Sequence, residues 1–186
     1  MDVFEALNTR RSIARLEGDV DDAQLHALVD AALCAPNHKL TRPWRFTALR
    51  GAARTALGIA WAAILERSTS LEGAARDAFL ARERSKPVRA PLVLVVSTRT
   101  DDDPVIAAED FAATAAAVQN LLLAAQALGL GAIWRTGEMA YNPEINAHLG
   151  LEPADRIVAF VYIGRPAMES PRGLPRDVAA VLRILE

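Results

Sequence analysis

Residues 111–128 constrain the fold more than any other part of the sequence, because they predict a helix without a polar face. The longest predicted helix spans residues 104–129, and the polar residues in its second half do not form one stripe. A helix that is apolar nearly all round is buried nearly all round. Two arrangements satisfy this requirement: a central helix surrounded by its own chain, or a helix at a two-fold interface between two chains. The sequence favours neither.

The other predicted elements place helices around a few central strands. One α+β or α/β layer domain over residues 1–186 is therefore expected, with a central mixed β-sheet surrounded by helices. The run 91–96 is continuously apolar and rich in β-branched residues, which indicates a strand buried on both faces. Residues 178–185 are expected to pack back on a neighbour. Further helices are predicted at 3–7, 21–35, 57–64, 69–84 and 143–149, and further strands at 44–49, 131–135 and 157–163.

Charge and residue usage exclude several classes of protein. The formal net charge is −2, which argues against binding to nucleic acid or to an anionic membrane surface. Cys34 is the only cysteine and there are three histidines, so neither an intrachain disulfide nor a zinc site is expected. Polar residues interrupt the apolar stretch 111–133, which disfavours a membrane span. The first residues lack the layout of a signal peptide, and the expected location is cytoplasmic.

Taken singly, the candidate motifs have ordinary structural explanations. Gly129-Leu130-Gly131 follows a helix and precedes a strand, the reverse of the order in a dinucleotide-binding loop, so it predicts a helix C-cap. Paired arginines after a short helix are usually solvated, and a tryptophan in a strand usually belongs to the core. Cys34 lies on the apolar side of a helix. No catalytic nucleophile, general base or metal ligand is therefore assigned.

Taken together and in order, four of these segments resemble the nitroreductase family of FMN-dependent oxidoreductases. The resemblance extends over residues 1–176 and is greatest to the compact, single-domain members. Its motifs are Arg10-Arg11-Ser12 with Arg15 nearby, Ala35-Pro36-Asn37-His38-Lys39 followed by Arg42-Pro43-Trp44, residues 129–137, and Tyr162-Ile163-Gly164-Arg165-Pro166.

The resemblance implies an FMN site whose residues come from several segments. By similarity to the family, Arg10 with Ser12 is expected to contact the FMN phosphate and ribityl chain, for which a guanidinium offers paired donors. The backbone of Thr136 and Gly137 is expected near flavin N5, with Trp134 beside the ring. Arg172 is a loose match to a phosphate-binding residue near the C-terminus.

The resemblance also implies a homodimer with the flavin in a groove between two subunits. Asn37, His38 and Lys39 are expected to reach the flavin from one of the two chains. A cation near flavin N1 and O2 favours the reduced form. Where the family often has a basic residue, this chain has Ala14, with Arg15 next to it. Three other basic residues are candidates for that role: Arg11, Lys39 and Arg135.

The predicted function is hydride transfer from NAD(P)H to nitroaromatics, quinones or similar small electrophiles. Because the cofactor performs this chemistry, the protein need only bind and orient the reactants. Two alternatives remain on the same scaffold. One is a specialised flavin enzyme, such as a dehalogenase, an enone reductase or a dehydrogenase. The other is a flavin-binding or storage protein without significant turnover. A structural dimer that binds no flavin is the remaining alternative.

Overall fold

The computed structural model describes residues 1–186 and contains six α-helices and five β-strands. The helices are α1 (Val3–Thr9), α2 (Asp22–Leu33), α3 (Ala52–Ser68), α4 (Gly73–Ser85), α5 (Pro104–Ala127) and α6 (Pro143–His148). The strands are β1 (Leu16–Glu17), β2 (Trp44–Leu49), β3 (Leu92–Thr98), β4 (Gly131–Arg135) and β5 (Arg156–Pro166). No helix has both the length and the apolar character that a membrane crossing needs.

One sheet organises the molecule. β5 pairs with β3 along one side and with β4 and β1 along the other, and β2 pairs with β3 at the far edge. All of these pairings are antiparallel, and the parallel component is a single bridge between Ser12 and Ala132. The loop before β2 and the loop after β4 therefore lie at opposite edges of the sheet.

Helices cover both faces of the sheet. This explains why β3 consists mostly of apolar residues. Leu92, Leu94 and Val96 face a core shared with α2 and α5. Val93 and Val95 face a second core, where α3 and α4 supply most of the helical side chains. All seven residues of β3 are buried, as its composition predicts. The fold class is α+β, as expected.

Within one chain, α5 is buried on one side only. Ala113, Ala117, Leu121 and Ala125 are 7% exposed or less and pack on the sheet. The opposite face includes Ala112, which is exposed, and a series of half-buried, mostly apolar residues after it. A surrounded central helix would leave no such face, so the monomer does not satisfy the burial that the sequence predicts.

The end of α5 confirms the C-cap prediction for the glycine pair. Gly129 has a φ of +72°, which favours glycine. Its N–H donates to the carbonyl of Gln126, and the N–H of Leu130 donates to the carbonyl of Ala125 at 2.8 Å. These two bonds form a Schellman motif, which turns the chain directly into β4.

Two parts of the chain differ from what the sequence suggests. β1 has no counterpart among the predicted strands, because two residues are too few to show alternation. Residues 167–186 contain no α-helix or strand. The apolar side chains from Leu174 onward are exposed, including Leu174 at 87% and Val181 at 86%. These apolar side chains therefore do not pack on their own chain.

Candidate functional site

The Arg10–Ser12 segment lies along the outer edge of β4. Ser12 bridges Ala132, and the N–H of Ile13 donates to the Ala132 carbonyl at 3.1 Å. Ile13 is buried and fixes this segment, whereas Ser12 is exposed. The neighbouring strand β4 leads directly to Trp134–Gly137. Two segments that are far apart in the sequence thus form one continuous edge.

The two arginines of this segment have different surroundings. Nη1 of Arg11 donates to the backbone carbonyls of Asn8 and Arg10, at 2.9 Å and 2.7 Å. Arg11 therefore holds the turn after α1. Arg10 is half-buried, and its guanidinium takes part in none of the ion pairs of the protein. Of the two, Arg10 is the one free to bind an anion.

The C-terminal segment returns to the same place. A side chain added at Gly173 would clash with the Arg11 guanidinium, so the backbone there passes directly over Arg11. Arg176 donates to Oδ1 of Asn8 at 2.8 Å. Arg172 is exposed beside this contact. The structure thus brings Arg172 to the same region as Arg10, Arg11 and Ser12.

At the end of β4 the backbone adopts a conformation that favours glycine. Gly137 has φ +83° and ψ −178°, a combination adopted by essentially no other residue. Arg135, Thr136 and Gly137 are exposed, and no atom outside the adjoining residues lies within 4 Å of the position of a Cβ on Gly137. The indole N–H of Trp134 donates to the carbonyl of Val158 at 3.1 Å. This bond fixes the orientation of the Trp134 ring.

A cavity of about 490 Å³ opens beside this turn. One part of its lining is aromatic or apolar, and the other carries charged groups. Eight of its lining residues are absent from the predicted site residues, among them Trp61, Glu83, Lys86 and Tyr162. The lining consists of Trp61, Leu65, Phe79, Glu83, Lys86, Met139, Tyr162 and residues 134–138.

Three polar groups of the cavity are in environments that suit a bound polar ligand. Nε1 of Trp61 is buried without a hydrogen-bond partner. Glu83 is 5% exposed, and its carboxylate forms an ion pair with the ammonium of Lys86. An unpaired buried N–H costs free energy. A ligand acceptor that enters the cavity would remove this penalty.

The Arg135 guanidinium lies over the ring of Tyr162, and both residues line the cavity. Arg135 lies 5.8 Å from the Tyr162 ring centroid, and Tyr162 is 3% exposed. Burial raises the pKa of Tyr162 to about 12, and the positive charges of Arg135 and Arg89 partly oppose this. Tyr162 therefore remains a neutral hydrogen-bonding group at any physiological pH.

This pKa predicts a loss of stability at alkaline pH. The unfolded chain loses the Tyr162 proton near pH 10, whereas the folded chain keeps it to about pH 12. The contribution to the free energy of unfolding is complete below pH 10 and disappears as the pH rises to about 12. Tyr162→Phe should remove the highest-pH component of the tyrosine absorbance titration and flatten the dependence of unfolding on pH above 10. A wild-type titration in which both tyrosines ionise near pH 10 would contradict the raised pKa.

The loop Asn37–Lys39 lies away from the other predicted site residues. It precedes β2, which is separated from β4 by β3 and β5. Three strand spacings amount to roughly 14 Å. His38 and Lys39 are exposed, and Asn37 lines a separate cavity of about 560 Å³ with Leu33, Pro36 and Trp44. One chain therefore does not bring this loop to the cavity beside Gly137.

The backbone of this loop is strained. Lys39, Leu40 and Arg42 have φ angles of +52°, +54° and +48°, in the left-handed region that non-glycine residues rarely adopt. Each such residue costs about 1–3 kcal/mol, and such strain is concentrated at functional sites.

Comparison with known proteins assigns the family. The sequence model of the nitroreductase family matches residues 7–165. An Escherichia coli K12 protein named "Putative NAD(P)H nitroreductase YdjA" is 32% identical over 172 residues, which cover 91% of each chain. The structure of a nitroreductase-like family protein from Bacillus cereus has a TM-score of 0.86 at 31% identity and covers 100% of this chain and 97% of its own.

A second solved structure was determined with a cofactor. It is described as a "putative nitroreductase in complex with FMN" from Desulfovibrio desulfuricans, with a TM-score of 0.76 at 26% identity. The match covers 100% of this chain and 98% of the other. The resemblance that four short motifs suggest thus extends over the whole chain, and the protein belongs to the nitroreductase family.

Proposed function

We propose that two copies of this 186-residue domain form an FMN-dependent oxidoreductase that transfers hydride from NAD(P)H to small electrophilic acceptors. The observation that carries this proposal is the continuous edge formed by Arg10–Ser12, β4 and the turn at Gly137, with the polar cavity beside it. Family membership and the FMN complex of a relative support the choice of cofactor.

The residues along this edge fit the chemistry of FMN. Arg10 offers an unpaired guanidinium for the phosphate, and Ser12 and Thr136 offer exposed hydroxyls for the ribityl chain. The turn at Gly137 leaves open space where a side chain would otherwise project. A planar ring can therefore approach its backbone closely. Trp134, held by its bond to Val158, lies next to this position.

The cavity fits the polar edge of the flavin ring. That edge presents two carbonyl oxygens on either side of one N–H. The buried indole N–H of Trp61 and the ammonium of Lys86 are donors, and the carboxylate of Glu83 is an acceptor. The donors of the cavity match the two carbonyl oxygens of the flavin edge, and its acceptor matches the N–H. Lys86 joins Arg135 as a candidate for the cation near N1 and O2.

When bound, FMN supplies the hydride chemistry, and the chain supplies binding and access. Residues 99–103 are the only connection between β3 and α5, so no inserted segment is available there to cover the cavity. A chain with few inserted segments favours a broad range of acceptors. Nitroaromatics and quinones are therefore the proposed substrate classes.

A second chain completes the site in this proposal. The outward face of α5 would be covered by its copy in a two-fold dimer. The exposed apolar residues of α1 and of the C-terminal segment, such as Phe4 at 73% and Leu182 at 58%, also require a partner. In such a dimer the loop Asn37–Lys39 would be supplied by the neighbouring chain.

We expect a stable dimer that a charge on α5 disrupts. Sedimentation at micromolar concentration should give a mass twice the 20.0 kDa of one chain. Ala112→Glu places a carboxylate on the outward face of α5 and should give monomers, because burying an unpaired charge is costly. Ala75→Glu, on an exposed face of α4, should remain dimeric. A wild-type mass of one chain would contradict the dimer and the shared site.

An absorbance spectrum tests the function itself. The purified protein, reconstituted with FMN, should show flavin absorbance that bleaches on anaerobic addition of NADH or NADPH and returns when a quinone or nitroaromatic is added. Flavin that binds but is not bleached by either nicotinamide would indicate a binding or storage protein. A protein that does not retain added FMN would contradict the proposal as a whole.

A further inference from the structure

The loop of residues 37–42 does not hold its conformation alone. Lys39, Leu40 and Arg42 all have positive φ angles, and for a bulky residue such as Leu40 this is a marked outlier. Leu40 is also 73% exposed, so packing of its side chain does not stabilise it. A conformation of this kind persists only when the surrounding structure imposes it.

Two side-chain hydrogen bonds impose it. Oδ1 of Asn37 accepts from the backbone N–H of Arg42 at 3.0 Å, which closes the loop on itself. The hydroxyl of Thr41 donates to Oδ1 of Asp110 at 2.6 Å. The second bond ties the loop to α5, 69 residues further along the chain.

Asp110 is an unusual residue for this position in the fold. It is 5% exposed, and none of the ion pairs of the protein includes it. Arg99 and Asp101 line the same small cavity as Thr41 and Asp110. A buried carboxyl group needs hydrogen-bond partners, because a buried polar group without one costs free energy. The Thr41 hydroxyl supplies a short hydrogen bond.

We propose that Asp110 is a positioning residue that fixes the loop of residues 37–42 for the flavin of the neighbouring chain. The inference rests on the proposed function. Asp110 lies near the start of α5, two residues before Ala112, and its side chain belongs to the buried side of the helix rather than to the outward face. The bond from Thr41 therefore joins the loop directly to the helix that forms the interface. Docking of two α5 helices then places His38 and Lys39 of each chain at a fixed position relative to the other chain's site.

Substitutions of Thr41 test this role without removing the buried carboxylate. Thr41→Val keeps the shape of the side chain and removes the hydroxyl, whereas Thr41→Ser keeps the hydroxyl. Three quantities are measured for both variants and wild type: the carbon chemical shifts of Lys39 and Leu40, which report the left-handed backbone; the dimer mass; and the affinity for FMN.

Thr41→Val should shift the Lys39 and Leu40 signals, leave the dimer intact and weaken FMN binding about tenfold. Thr41→Ser should restore all three quantities to within about twofold of wild type. Rescue by serine would not be expected if the site merely filled space.

Each other outcome overturns the inference in a distinguishable way. Unchanged Lys39 and Leu40 signals in Thr41→Val would show that Asp110 does not hold the loop. Altered signals with wild-type FMN affinity would show that the loop conformation does not serve the cofactor. Failure of the wild-type dimer to bind FMN would contradict the proposed function, and this inference with it.

Discussion

Replacing Arg10 with alanine should weaken FMN binding by roughly ten- to a hundredfold, while the fold and the dimer are retained. The side chain is half-buried and in none of the protein's ion pairs, so its removal should cost the folded chain little. A charge-assisted hydrogen bond to phosphate contributes about 1.5–3 kcal/mol, which corresponds to the stated change in affinity.

The measurement is a fluorescence titration of FMN with the apoprotein. Arg84→Ala is a suitable control, because Arg84 is an exposed residue of α4. Arg54, although also in a helix, is unsuitable. Its side chain is partly buried and donates to the carbonyl of Ala90. Equal affinities for Arg10→Ala and Arg84→Ala would show that Arg10 does not contact the phosphate.

Arg11 can be compared with Arg10, because the two arginines are adjacent in the sequence but have different surroundings in the structure. Its Nη1 is engaged by two backbone carbonyls, so Arg11→Ala should destabilise the turn after α1. From the sequence alone, Arg10 and Arg11 are both candidates for contacting the FMN. In the structure only Arg11 of the two is engaged by backbone carbonyls, because the chain turns back on it after α1.

Much of the fold could be predicted because the elements are clearly marked in the sequence. Pro43 precedes β2 and the C-cap at Gly129 precedes β4, and both strands have the predicted bounds. The capping box of Asp21 and Gln24 is present at the start of α2. Such signals act locally and depend little on tertiary packing.

The position of α5 could not be predicted in the same way. An apolar helix must be covered, but the sequence does not state whether its own chain or a second copy covers it. The answer depends on how much of the helix the sheet and α2 can reach. The sheet and α2 cover one side of α5, and residues on the other side, such as Ala112, remain exposed.

The cavity residues escape sequence reasoning because they come from helices that carry no recognisable motif. Trp61 and Glu83 are brought beside β4 only when α3 and α4 pack on the sheet. One signal is available for Lys86. It is one of two lysines in a chain that otherwise uses arginine, and the other is Lys39.

Gly137 should be the position at which the smallest substitution has the largest effect on FMN binding. Its φ of +83° and ψ of −178° are not accessible to alanine without a strain of about 1–3 kcal/mol. In the apoprotein the exposed turn can relax to avoid this strain. Binding of the flavin against the backbone of Thr136 and Gly137 would restore the strained conformation, and the strain would then reduce the affinity.

Gly137→Ala should therefore weaken FMN binding about tenfold or more, and Gly150→Ala is the matched control. Gly150 is also exposed, has a φ of +68°, and has open space within 4 Å of the point that a Cβ would occupy. It follows α6 and lines none of the cavities described above. Both variants should remain folded, but only Gly137→Ala should lose affinity in the FMN titration. If both variants bind FMN as wild type does, the flavin does not lie against this turn, and the open space at Gly137 belongs to an ordinary surface loop.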